Sequence, residues 1–153
     1  VKTMNVFISK VWSYPMEIFP CGLEDENNVE LDYKFPVQIN STELRPPDVS
    51  KCSKGQREII DLSYVVVMMK QLGLGNYPIM LDEFAANLDH THRLSAISIV
   101  KSLIEQHSFS QLFMVNHYDG IYGAFTNAQF LVLCEDNVII PKDCIYNRHV
   151  NIR

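Results

Sequence analysis

Residues 77–83 read Tyr77-Pro78-Ile79-Met80-Leu81-Asp82-Glu83, a short apolar run closed by two acids. Gly73-Leu74-Gly75 precedes it, so the run is bounded by a glycine-rich turn and by carboxylates, as a buried strand is. Such a strand places its terminal acids at the C-terminal edge of a parallel sheet, where the ligand sites of α/β proteins lie. Asp82 is a hard oxygen ligand there, suited to Mg2+ directly or through water. Glu83, one residue on, can orient or deprotonate an attacking water. The plainer alternative is that both acids end the sheet edge and begin a loop.

Downstream, Asn87-Leu88-Asp89 stands before a second helical pattern, with Leu94, Ile97, Val100, Leu103 and Ile104 on one face. Asn87 or Asp89 serves well as its N-cap. Gln111–Val115 is another buried apolar run, followed by Asn116-His117. A parallel neighbouring strand brings His117 to the same edge as Asp82 and Glu83, where a histidine can sense a γ-phosphate, although a lone histidine is more often structural. Gln129–Leu133 and Val138–Ile140 read as two further strands around Glu135-Asp136-Asn137.

Upstream, Cys52-Ser53-Lys54-Gly55-Gln56-Arg57-Glu58 opens a long helical stripe, with apolar residues at Ile59, Ile60, Leu62, Val65, Val66, Met69 and Leu72. A serine and a glycine at a helix start offer a hydroxyl and unpaired N–H groups with the positive helix end behind them, an anion site suited to phosphate. A simple N-cap by Ser53 explains the same residues. Before this, Met4–Trp12 reads as a short helix, and Pro15 and Pro20 punctuate the chain around Met16–Phe19. Gly22–Asn28 is an acidic turn, Val29–Ile39 alternates like a half-buried strand, and residues 40–51 form a loop. The strand–helix–strand alternation in the middle predicts an α/β domain with a mainly parallel sheet flanked by helices and a terminal strand pair.

The 153 residues are enough for one domain with a core, and 47% hydrophobic with 20% charged residues is a globular balance. A formal charge of −5 argues against a broad basic nucleic-acid footprint, although Arg45, Lys51, Lys54 and Arg57 lie close in sequence. Cys21, Cys52, Cys134 and Cys144 show neither a metal spacing nor a disulfide framework, which fits a reducing compartment. No stretch approaches the roughly 20 apolar residues that span a bilayer.

A serine–glycine helix start, an apolar strand with Asp-Glu, Asn-Leu-Asp, and a strand with His occur in that order between Cys52 and His117. The series resembles the C-terminal portion of the ATP-binding-cassette superfamily, and within it the heads of chromosome-maintenance (SMC) and double-strand-break-repair ATPases, which a long coiled coil splits in two. On this resemblance Ser53, Lys54, Gly55 and Gln56 occupy the signature loop that contacts nucleotide held by a partner head. Asp82 matches the Walker B magnesium ligand, Glu83 the catalytic glutamate, Asp89 the aspartate of the D-loop at the dimer interface, and His117 the switch histidine. Cys52 stands where leucine is usual and Lys54 where glycine is usual, which bears on the loop's backbone freedom.

No G-x-x-x-x-G-K-[ST] stretch is present in the sequence, so no P-loop wraps the β- and γ-phosphates. The resemblance therefore implies one lobe, residues 1–153, with 1–14 the helix leaving a coiled coil and the Walker A loop in an N-terminal lobe before Val1. Alone, the lobe is expected to be inactive. The cofactors implied are ATP and Mg2+. The partners implied are the Walker A lobe, a second head in a dimer, and DNA through the full-length protein, with a nuclease subunit left open and no membrane. An intracellular, cytoplasmic or nucleoid-associated location follows from the same resemblance. Two other readings compete. One is a non-catalytic, ATP-gated scaffold head. The other is a metal-dependent hydrolase built from Asp82, Glu83, Asp89, His90, His92, His117 and Asp119, which lacks the Asp-His that usually follows His-x-His.

Overall fold

The computed structural model describes residues 1–20, 35–40, 48–106, 108–118, 121, 123–125, 128–129, 132–134 and 137–139. The first helix, α1 (Lys2–Ile8), buries Met4, Phe7 and Ile8, the i, i+3, i+4 spacing of one helical face. The next element, β1 (Met16–Ile18), pairs antiparallel with β2 (Val37–Ile39), Met16 opposite Ile39. A strand of three residues is too short for a period-2 signal, so β1 is not legible in the sequence. The Asn5 side chain fastens β1 to α1. Its Nδ2 donates to the Ile18 carbonyl at 2.8 Å and its Oδ1 accepts from the Ile18 amide at 2.9 Å.

A single 3-10 turn, Val49–Lys51, leads into α2 (Lys54–Gln71). This helix buries Ile59, Ile60, Leu62, Ser63 and Val66, and the buried Ser63 hydroxyl donates to the Ile60 carbonyl at 2.7 Å. Gly73 ends it with φ +69. The amides of Gly73 and Leu74 donate to the carbonyls of Lys70 and Met69, which satisfies the last turn. That conformation is open to glycine without steric cost.

The central unit is β3 (Ile79–Asp82), α3 (His90–Glu105) and β4 (Leu112–Val115), with β3 and β4 parallel and Asp82 opposite Val115. The buried face of α3 is Ala96, Ile97, Ile99, Val100 and Leu103. Leu94, expected on that face, is 49% exposed, because it lies half a helical rotation from Ala96 and Leu103. Along β3 and β4 burial alternates, leaving Met80, Phe113 and Val115 exposed at 77%, 54% and 56%.

The chain forms two compact units, Val1–Val115 and Asn116–Arg153. In the second, β5 (Val132–Cys134) pairs antiparallel with β6 (Asn137–Ile139), the terminal strand pair expected from the sequence. The fold is mixed α/β. Its parallel character is confined, among the described residues, to the β3–β4 ladder, the other two ladders being antiparallel. The physical reason is connection: a helix carries β3 to β4, whereas β5 and β6 are separated by only two residues. The expected acidic turn at 22–28, the first part of the strand over 29–34, loop residues 41–47, Glu135-Asp136, Ile140 and Asp119 lie outside the described residues. No described helix is long and apolar enough to cross a membrane.

Candidate functional site

Ser53 is the N-cap of α2, in extended conformation. Its Oγ accepts the Gln56 amide at 3.2 Å, while Gln56 Oε1 accepts the Ser53 amide at 2.8 Å. This capping box satisfies two of the helix's first four amides. The Ser53 hydroxyl proton is not consumed by that bond, and the amides of Lys54 and Gly55 complete the first turn. The cap and the anion site are therefore compatible. Lys54 is the first helical residue and is not among those with positive φ, so its backbone does not need glycine's freedom.

Gly55 matters for a different reason. A Cβ built on it would lie 2.6 Å from Leu88 Cδ2 and 2.7 Å from the Asn87 carbonyl oxygen. Gly55 packs against the Asn87 carbonyl and the Leu88 side chain with no room for a Cβ, a closeness only glycine permits. Cys52, just before, is buried, and that burial pushes its thiol up from 9.0. It acts as a small apolar residue in place of leucine.

Beyond β3 the chain reverses sharply. The Glu83 amide donates to the Val115 carbonyl at 2.9 Å, extending the ladder by one bond. Glu83 then adopts φ +48 and Ala85 φ +64, left-handed conformations that non-glycine residues seldom hold. The turn closes through Ala86 N–H to the Glu83 carbonyl at 3.1 Å and Leu88 N–H to the Ala85 carbonyl at 3.2 Å. Phe84, Ala85 and Leu88 are buried, whereas Asp82 and Glu83 are exposed at the C-terminal end of the strand. Because Asp82 pairs with Val115, β4 leaves the ladder at this same edge, and His117 follows two residues later in the chain, within the second unit.

Asp89 is the N-cap of α3, accepting the amides of Thr91 and His92 at 3.0 and 3.1 Å and pairing with His92 Nδ1. The His92 side chain holds its carboxyl below the usual 3.8, with the His92 and Thr91 amides adding to the effect. A depressed carboxyl contributes stability above its unfolded value and loses it as pH falls through the folded value. The stability of the wild type over Asp89→Asn, read from urea midpoints, is therefore expected to be present above 3.8 and to decline as pH falls below it through the folded value. A difference independent of pH would overturn this. The His92 ring also packs at a tilt against Trp12, centroids 4.6 Å apart, and lies edge-on to Tyr14 at 5.9 Å. The Tyr14 hydroxyl accepts from Gln56 Nε2 at 2.9 Å. One run of contacts thus joins the cap of α2 to the cap of α3 by way of the N-terminal segment.

Of the residues expected to form the site, the first unit brings Ser53, Lys54, Gly55 and Gln56 together with the turn that follows Asp82-Glu83, and places Asp89 at that turn's end. Among the described residues no group of three His, Cys, Asp or Glu side chains is placed to hold a metal ion. A single exposed carboxylate at Asp82 does fit Mg2+, which keeps water and phosphate oxygens as most of its shell. Tyr14, Glu58 and Arg93 are contributors that sequence reasoning missed. Glu58 ends the polar run that opens α2, just before the apolar stripe begins at Ile59, and no spacing rule marks it.

No protein-family model matches the chain, and no curated protein matches it. The fold does have a solved counterpart. The chain superposes on one from a study of ATP-driven dimerization and DNA-stimulated activation of SMC ATPases, with a TM-score of 0.65 and 12% identity, over 90% of this chain and 79% of that one. At that identity the likeness establishes the fold alone: over most of its length this chain has the fold of that solved chain.

Proposed function

We propose that this chain is one lobe of an SMC-like ATPase head, which binds ATP with Mg2+ and hydrolyses it once a Walker A lobe and a second head complete the site. The observation that supports this most strongly is the contact of Gly55 with Asn87 and Leu88. It joins the serine–glycine helix start to the turn carrying Asp82 and Glu83, which an accidental match of motifs gives no reason to expect. The exposed face of Met80, Phe113 and Val115 supports a further lobe packing on the β3–β4 ladder, since apolar patches of this kind mark interaction surfaces.

In the proposed reaction Asp82 would hold Mg2+, which would supply charge neutralisation to the nucleotide's phosphates. Glu83 takes the proton of a water as its oxygen bonds to the γ-phosphorus and the bond to ADP breaks. His117 senses the γ-phosphate. Ser53, with the amides of Lys54 and Gly55, reads the nucleotide of the partner head. ATP then joins two heads and hydrolysis releases them, a switch whose readout passes to DNA through the full-length intracellular protein. The helix α1 (Lys2–Ile8), shorter than the helix over 1–14 that the resemblance implies, would lead out of its coiled coil.

The test is light scattering on the full-length protein carrying Glu83→Gln, with and without Mg-ATP. The amide keeps a group that can position water but removes the base. Dimers that form only with Mg-ATP support the reading. A protein that binds ATP yet stays monomeric overturns the sandwich and leaves the scaffold reading in its place.

A further inference from the structure

Glu58 lies in the second turn of α2, one helical turn beyond Lys54. Its Oε1 accepts the amide of Ala85 from the turn after β3. Its Oε2 is buried with no hydrogen-bond partner among the described residues, an arrangement costly for a carboxylate unless the bond it does make is worth keeping. From the other side, Arg93 of α3 donates Nε to the Ala85 carbonyl at 3.0 Å and Nη2 to the Leu88 carbonyl at 2.7 Å. Both backbone polar groups of Ala85 are thus held by side chains from two different helices. Ala85 is fully buried at φ +64, two residues after Glu83 at φ +48. Its own bonds already close the turn, through Ala86 to Glu83 and Leu88 to Ala85. The added clamp does something more: it ties the turn to the helix whose first residues form the candidate nucleotide loop.

We propose that Glu58 and Arg93 are positioning residues, which hold the Glu83–Leu88 turn in its left-handed form and so keep Glu83 in register with Ser53 and Gly55. The catalytic consequence rests on the ATPase reading; the clamp itself does not. An acidic and a basic side chain hold the two peptide groups that flank one residue, Ala85, so neither needs to touch nucleotide to act. Loss of either leaves the strained turn free to relax toward ordinary backbone angles, carrying the Glu83 carboxylate with it.

The experiment compares Glu58→Ala, Glu58→Gln and Arg93→Lys in the full-length protein. Two readouts are taken, hydrogen exchange at the Ala85 amide and steady-state ATP turnover. Glu58→Ala should speed exchange at Ala85 by about tenfold or more, since that amide loses its acceptor. It should lower kcat by about ten- to a hundredfold with KM for ATP nearly unchanged, as misplacement of a catalytic group does. Glu58→Gln keeps an oxygen acceptor and should restore both. Should Glu58→Ala fail to fold, Arg93→Lys carries the test. It keeps the charge but not the fork that reaches two carbonyls, so faster exchange and lower kcat are again expected. Unchanged exchange at Ala85, or a rise in KM with kcat intact, would overturn the proposal, as would failure of Glu58→Gln to restore either readout. A wild-type protein that turns over no ATP sinks the ATPase reading alone, because exchange at Ala85 still decides whether the clamp exists.

Discussion

Gly55→Ala is expected to lower the stability of the first unit by about 2 kcal/mol, although alanine is the better helix former. The propensity gain is worth up to about 1 kcal/mol, while forcing a methyl into a filled site costs about 1–3 kcal/mol. The added carbon would sit 2.7 Å from the Asn87 carbonyl oxygen. That neighbour is backbone and cannot rotate away as a side-chain end can, so the steric term wins. The strain is relieved only by parting α2 from the turn after β3, which also displaces Glu83. On the proposed ATPase reading, turnover should therefore fall further than stability alone accounts for. Urea unfolding followed by the fluorescence of Trp12, the sole tryptophan, measures the first effect. A variant as stable as the wild type would show that the contact is slack.

Trp12→Ala should cost about 2–4 kcal/mol, read by circular dichroism because the fluorophore is gone. Truncating a buried Trp usually costs about 3–5 kcal/mol, and Trp12 is only 9% exposed, packed against Tyr14 and His92. Its ring N–H, however, is buried without a partner among the described residues. Leaving such a donor unsatisfied costs about 1–3 kcal/mol, so removing it offsets part of the loss. Trp12→Phe separates the two contributions. It keeps most of the apolar ring and discards the orphan N–H, so it should lie within about 1 kcal/mol of the wild type. If Phe is as harmful as Ala, the indole N–H is satisfied in solution and the accounting fails.

The sequence carried the elements that announce themselves by period or punctuation. Ile59, Ile60, Leu62 and Val66 of the stripe and the Gly73 stop are legible, because burial on one face and a left-handed exit leave residue-type traces. Val65 and Leu72, expected on the same stripe, are exposed, and the run at Ile79–Leu81, expected to be a buried strand, leaves Met80 exposed. The candidate site is read from the sequence as an order of motifs, and its roles remain a proposal. What stayed hidden depends on contacts between distant residues. Nothing in the string shows that Gly55 is small because Asn87 lies against it, or that Glu58 reaches Ala85. Asp89 was legible twice over, as a cap and as an interface acid, and the structure gives it the capping bonds without touching the other role. Leu94 was misplaced for a simpler reason: a helix two turns wide in apolar residues admits more than one face, and packing chooses.

The contact between Gly55 and the Asn87–Leu88 turn bears on how labour is divided in a pair of such heads. In the proposed sandwich the loop at Ser53–Gly55 serves the neighbour's nucleotide, while Glu83 serves the head's own. The two sit on one stiff piece of a single lobe. Neither site of the pair is then a private possession: what disturbs the reader of one nucleotide also shifts the cutter of the other. A mixed pair, one head normal and one carrying a defect at this joint, would run at well under half speed, and its two sites would fire in company or not at all.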